Sequence, residues 1–350
     1  MDPSIQLFIA FLLSFLLVYV SLPAIVRLSK EKKLFDVPNE RKVNTTVIPN
    51  LGGVALFLGI SIGTLLSIEK MNFPDMRYIL VGLIIMFYTG IKDDILLISP
   101  KKKFLLQVLS AGILVVLGNI RFTSLHGFLG IYQIGFFSSS LFSIFVIVAI
   151  INSINLVDGI DGLASGLGLL TSLFFGFSFL IYGHLEYALL CFATLGALIP
   201  FFLFNVFGKK NKIFMGDTGS LILGLLSSVF IIKYNEYALT DPTYIGSYAP
   251  ALSFSIVFVP MFDMVRVFFL RLKNKKSPFT ADKNHLHHKF IDLGYSHLKS
   301  TMIIVAYNMF TIGLVICFKS WDIHLLIGLL LVLGLIFNFI PDYLLKRRLR

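Results

Sequence analysis

Charged side chains are scarce in this 350-residue chain: Asp, Glu, Lys and Arg make up 14% of it and hydrophobic residues 57%. Soluble domains carry about 25% charged residues, so a water-soluble globular fold is excluded. Cysteine is nearly absent. Cys191 and Cys317 are the only two; both fall in apolar runs and are expected to be buried thiols, with no disulfide framework. Also missing are a Walker A loop, a GxSxG elbow, an HExxH pair and a Rossmann glycine pattern, which removes the common ATPase, serine-hydrolase, zinc-protease and dehydrogenase classes. The chain has no low-complexity linker, no internal repeat and no basic–aromatic nucleic-acid module. The net charge of +11 therefore reads as a membrane-surface bias, and nucleic acid is not an expected partner.

What remains is a succession of apolar runs, many near the roughly 17 to 25 residues that cross hydrocarbon as a helix. The expected fold is an all-α polytopic membrane protein, one domain over residues 1–350, with about eleven transmembrane helices: 4–26, 51–68, 78–91, 104–118, 141–151, 163–182, 187–207, 220–232, 249–270, 301–318 and 323–340. The first run has no basic leader and no small-residue cleavage site, and so reads as a span rather than a removed signal. Twenty-five of the 30 Lys and Arg residues fall in loops on one side of this scheme. The positive-inside bias makes that side cytoplasmic, with the N-terminus outside and the C-terminus inside. The stretch Ile120 to Phe137 alternates weakly around Gly127 to Gly130 and predicts a small β-hairpin on the outer (periplasmic or extracellular) face.

Four polar clusters interrupt the apolar chain, all on the basic side. Lys92-Asp93-Asp94, followed by Lys101 to Lys103, suits magnesium or a phosphate-bearing substrate, or else is a solvated helix end. In I-N-S-I-N-L-V-D-G-I-D-G-L-A-S-G, residues 151–166, Asn155, Asp158 and Asp161 recur every third position. On a helical turn they would share a face, and Asp161 could instead cap the next helix. In F-M-G-D-T-G-S, residues 214–220, Asp217, Thr218 and Ser220 are either N-caps or part of a Mg²⁺–phosphate site at a helix start, and Phe214 could stack on a base. The loop A-D-K-N-H-L-H-H, residues 281–288, gathers His285, His287 and His288. Their spacing suits zinc poorly and a phosphate-binding loop better. Asp263 and Arg266, i and i+3 in the ninth run, read as a local ion pair or the rim of a site. A transporter would instead carry charges at mid-span and show repeat symmetry.

Together with R-K-V-N-T-T-V-I-P-N-L-G-G-V-A (residues 41–55) and D-D-I-L-L-I-S-P-K-K-K-F (residues 93–104), these motifs run in order over nearly the whole chain. In this combination the chain resembles the polyprenyl-phosphate N-acetylhexosamine-1-phosphate transferase family, most of all its bacterial undecaprenyl-phosphate GlcNAc-1-phosphate branch. The resemblance implies Mg²⁺, with Mn²⁺ as an alternative ion, held by Asp217 with Asn155. It implies a uridine site at Asp161 and Phe214, a lipid phosphate beside Asp93 and Asp94, and a phosphate-binding Lys103. His285, His287 and His288 would form the sugar and diphosphate pocket, with Asp158 on the diphosphate side. The implied substrates are UDP-GlcNAc and undecaprenyl phosphate, with other UDP-N-acetylhexosamines (FucNAc, QuiNAc or MurNAc-pentapeptide) as alternatives. The implied place is the bacterial cytoplasmic membrane with the site on its cytoplasmic face, as a monomer or homodimer. The acidic motif lacks the third carboxylate of the family's D-D-x-x-D form.

Overall fold

The computed structural model describes residues 3–35, 48–68, 72–240, 246–277 and 284–348. Residues 41–47, which open the first motif, and Lys70, Asp282 and Lys283 lie outside them.

Helix α8 (Gly216–Thr240) is the axis, with every residue from Thr218 to Ile232 buried. A helix that is apolar all round must be enclosed. α8 packs against α2 (Gly52–Ser67), α3 (Met76–Leu96), α5 (Phe136–Val157), α6 (Leu163–Ile181) and α9 (Ala249–Ile256). Around these lie α1 (Pro3–Glu31) and α7 (Leu185–Phe207), with α4 (Pro100–Gly112) continuing as a π-turn over Ile113–Leu117. α10 (Phe258–Lys273), the short α11 (Leu286–Asp292), α12 (His297–Cys317) and α13 (Ile323–Arg348) complete the bundle. The outward faces are apolar, with Phe8, Val20, Phe145, Ile181, Leu335 and Phe339 all exposed. Such a collar is stable against lipid, not water, and the chain is a multi-pass membrane protein. Cys317 lies on the exposed surface and only Cys191 is buried, because the end of α12 faces outward.

Seven of the described helices are long and apolar enough to cross a membrane, eight if the bent pair α9–α10 counts as one span. That is fewer than the eleven expected. α2 has 16 residues and α4 has 13, and α3 carries Arg77, Lys92, Asp93 and Asp94 at its ends.

Contacts sort the helix ends into two groups. At one end the α1 terminus meets the α7–α8 link, where Lys30 Nζ donates to Lys210 O at 2.8 Å. The start of α2 there runs beside the start of α8, with Gly52 N–H donating to Phe214 O at 3.0 Å and Gly53 N–H to Met215 O at 2.9 Å. At the opposite end Asp75 holds Lys233 at 2.6 Å and accepts from the Tyr187 hydroxyl.

The expected β-hairpin at 120–137 does not form: no strand occurs in this described segment, which holds a 3₁₀ turn at Phe128–Gly130. Thr123 O and Ile134 N–H still pair at 2.8 Å. Leu125 N–H also reaches Ile131 O at 3.3 Å, but side chains of the helices take the groups at Phe122 and the Thr123 N–H: Ser143 Oγ accepts from Phe122 N–H, Ser139 Oγ donates to Phe122 O, and the Glu236 carboxylate accepts from Thr123 N–H.

α9 and α10 meet at a 77° bend. In hydrocarbon the backbone groups freed by such a break need partners, and Asn308 of α12 supplies two. Its Oδ1 accepts from Val259 N–H at 3.2 Å and its Nδ2 donates to Ile256 O at 2.7 Å. Asn308→Leu leaves both groups orphaned, an expected loss on the order of 2 kcal/mol or more. It should appear as a clear drop in the unfolding temperature of detergent-purified protein; an unchanged temperature would show that the bend does not depend on Asn308.

Candidate active site

The end that gathers α2 to α8 also gathers the expected polar residues. Glycines let the helices close on one another there: a methyl on Gly53 would fall 2.1 Å from Gly219 N, and one on Gly90 2.2 Å from Thr218 Cα. α3 therefore delivers Asp93 and Asp94 directly onto the start of α8.

The two adjacent carboxylates then part. Asp94 Oδ1 accepts from Asp217 N–H at 2.8 Å, and its Oδ2 accepts from Thr218 N–H at 3.0 Å and from the Thr218 hydroxyl at 2.6 Å. It caps α8 from a different helix, so Asp217 and Thr218 are not their own caps. Gly216, at φ +69°, makes the turn against Asp94 and Asn50, a conformation that favours glycine. Asp93 Oδ2 instead lies 3.0 Å from Lys103 Nζ. That ammonium is also 2.6 Å from Asp217 Oδ1 and donates to Asn155 Oδ1 at 3.4 Å. Asn155 Nδ2 in turn bonds Asp217 Oδ1 and, at 2.8 Å, Ser220 Oγ. Four helices thus converge on one cation position walled by two carboxylates and an amide.

Asn155, Asp158 and Asp161 do not share a helical face, because α5 ends at Val157. Asp158 is half-buried, and its carboxylate has no hydrogen bond or ion pair among the described residues. Burial, with Asp217, Asp94 and Asp161 nearby, pushes it well above the ordinary carboxylate range. Asp161 does not cap α6; Gly162, at φ +80°, stands at that position with no side-chain cap. Asp161 Oδ2 is held by Lys212 at 2.6 Å and His297 at 3.0 Å, while Oδ1 is buried and unpartnered. Burial opposes its charge, but the bonds from His297 and Lys212 prevail and hold it below the ordinary range. Asn205 ties this turn to the link before α8, accepting from Gly162 N–H at 2.7 Å and donating to Ile213 O at 2.8 Å. On that link Phe214 is half-buried, fixed through its backbone to Pro49 and Gly52.

The histidines also divide. His287 is buried against Gly159, where a methyl would fall 2.4 Å from its Nε2, and that nitrogen has no partner among the described residues. Burial, then His288, drives His287 down to about 3, so it is neutral. His288 lies beside it, ring centroids 4.3 Å apart. His285 turns away to Asp263 at 2.9 Å. No group of three or more His, Cys, Asp or Glu placed to hold a metal ion occurs among the described residues.

Lys212, His297 and Asn205 were not singled out from the sequence. Asn205 carried a signal, an amide inside an apolar run. Lys212 was lost in a basic run, and His297 stood outside the polar clusters.

Residues 76–235 match glycosyl transferase family 4. Over 347 residues (97% of this chain, 92% of the relative) the chain is 31% identical to the probable undecaprenyl-phosphate N-acetylglucosaminyl 1-phosphate transferase of Bacillus subtilis. It is 33% identical over 302 residues (85% and 82%) to the undecaprenyl-phosphate alpha-N-acetylglucosaminyl 1-phosphate transferase of Pasteurella multocida. The Escherichia coli K12 protein of that name is 28% identical over 330 residues (92% and 86%).

A neutral buried histidine has a sign in pH. The unfolded chain takes up a proton on His287 near its ordinary 6.5, whereas the folded chain does so only near 3. The stability it contributes is full above 6.5 and lost as pH falls toward 3, by at most ~1.4 kcal/mol per pH unit. Unfolding temperatures between pH 7 and 4.5 should fall more steeply for the native protein than for His287→Leu; parallel curves would contradict a neutral buried imidazole.

Proposed function

The chain belongs to the polyprenyl-phosphate N-acetylhexosamine-1-phosphate transferase family, glycosyl transferase family 4, and we propose that this phosphotransferase moves GlcNAc-1-phosphate from UDP-GlcNAc to undecaprenyl phosphate. Support for the acceptor and for the group transferred comes from relatives named undecaprenyl-phosphate N-acetylglucosaminyl 1-phosphate transferase, aligned over most of the chain. The observation that carries the chemistry is the convergence of Asp93, Asp217 and Asn155 on a single cation position.

In the reaction an oxygen of the lipid phosphate attacks the β-phosphorus of the donor. The bond from that phosphorus to the bridging oxygen breaks, and UMP leaves with the electron pair. A phosphate monoester, with a second pKa near 6, is already largely ionised at neutral pH and needs little help from a base. Alignment and charge neutralisation therefore set the barrier.

The donor set fits Mg²⁺, which takes oxygen ligands and commonly only one or two carboxylates alongside substrate phosphate. Asp217 and Asn155 would hold it, with Asp93 at the same focus. Bound there, it would offset the charge on the diphosphate. Lys103, whose ammonium now stands among those oxygens, would then pair with phosphate. Asp94 keeps the start of α8 in place. Asp161, Lys212 and Phe214 flank the two links that would receive the uridine. His287 faces the turn at Gly159, which would lie on the diphosphate side near Asp158, with His288 beside it and His285 as its anchor.

Residues 1–350 would act as one catalytic domain in the bacterial cytoplasmic membrane. Counting α2, α3 and α4 as crossings, and α9–α10 as one, gives eleven spans with the N-terminus outside. The segregation of helix ends supports that reading. It would set the site on the cytoplasmic face, where UDP-sugars occur and the lipid phosphate reaches the interface.

Asp217→Ala is expected to lower UMP release by at least ~10³-fold while the protein stays folded. Release near the native rate from a folded variant would sink the metal assignment. With undecaprenyl phosphate fixed, UDP-GlcNAc should outperform UDP-FucNAc, UDP-QuiNAc and UDP-MurNAc-pentapeptide; a different preferred donor would reassign the substrate but keep the reaction.

A further inference from the structure

We propose that Asp263, in the second turn of α10, is a positioning residue that aims His287 into the donor site. The inference rests on the placement of His287 at the diphosphate given above.

Asp263 is 2% exposed, yet it sits on a helix among apolar residues, where an unpaired carboxylate would be prohibitive. Among the described residues its donors come from its own turn or from the histidine loop. Oδ1 accepts from Arg266 at 2.7 Å and from the backbone N–H of Leu286 at 3.1 Å, and Oδ2 meets His285 Nδ1 at 2.9 Å. The Arg266 guanidinium also donates to Asn284 O. His285 presents its other nitrogen to Arg271 at 3.5 Å. With Nδ1–H on the carboxylate, Nε2 is an acceptor facing a guanidinium, so both edges of this ring are committed to protein. His285 is an anchor and leaves substrate contact to its neighbours.

The anchor matters because α11 is only 7 residues long. A helix this short does not hold itself in water, and its orientation must come from outside. At its start Asp263 caps the Leu286 N–H. Farther along, Lys289 pairs with Asp342 of α13 at 2.7 Å and Phe290 lies against Phe337. His287 falls between these two fixings. Its Nε2, buried and without a partner, points at Gly159, in the turn that follows Asn155 and Asp158. One residue of helix separates the group Asp263 holds from the group that faces the donor.

A positioning role predicts coupling through His287, which a general structural role does not. UMP release from UDP-GlcNAc with undecaprenyl phosphate would be measured for Asp263→Asn, His287→Gln and the double variant, each first shown to be monodisperse and folded. Asp263→Asn should lower kcat/KM for UDP-GlcNAc by ~10- to 100-fold, with KM for the lipid unchanged. In the His287→Gln background the same change should cost no more than about 3-fold, because the group it aims is already gone. Losses that multiply in the double variant, or an Asp263→Asn enzyme as active as the native one, would overturn the proposal. A fully active His287→Gln would instead overturn the placement of His287 itself, and the proposal with it. Should Asp263→Asn fail to fold, the cycle of His285→Gln with His287→Gln reads the same route from its other end, with the same two outcomes.

Discussion

One ammonium organises the bundle. Lys103, at the start of α4, reaches Asp93 at the end of α3, Asp217 at the start of α8 and Asn155 near the end of α5. Two carboxylates and one lysine at the end of an apolar bundle are costly to hold. Removing the lysine from so buried a group would cost ~3–5 kcal/mol by stranding the carboxylates. The net negative charge that remains would favour a further cation there. The helices can meet only because Gly53 and Gly90 leave room against α8, and α8 keeps its place because Asp94 caps it from α3.

A second constraint is backbone satisfaction in lipid. The bend between α9 and α10 is tolerated because Asn308 bonds the groups it frees. The bent pair then places Asp263 where it can take the start of α11. His285 and the start of α11 are thereby held by the membrane bundle. Around the first turn, Asn205 performs a similar service, joining the Gly162 turn to the link that carries Phe214.

Much of this was legible in the sequence. Apolar runs mark the helices, and carboxylates beside them mark the polar residues that converge at one end of the bundle, because charge is rare and expensive in such a chain. What escaped reading depended on partners distant in sequence. A spacing of three suggested that Asn155, Asp158 and Asp161 share a face, but α5 ends at Val157 and sends Asp161 to Lys212 and His297. The adjacent Asp93 and Asp94 looked equivalent, and only the position of α8 separates a carboxylate facing the cation from one spent on capping. Alternation at 120–137 suggested strands, but serines and a glutamate on neighbouring helices took the backbone groups a ladder needs. Three histidines in four residues looked like one set until Asp263 withdrew His285.

The central claim is that phosphorus, not sugar carbon, is the centre attacked. UDP-GlcNAc labelled with ³²P in its β-phosphate, incubated with the purified protein and undecaprenyl phosphate, should pass the label to the organic-extractable lipid while the soluble nucleotide released is unlabelled UMP. Label leaving in soluble UDP, with an unlabelled glycolipid, would contradict it.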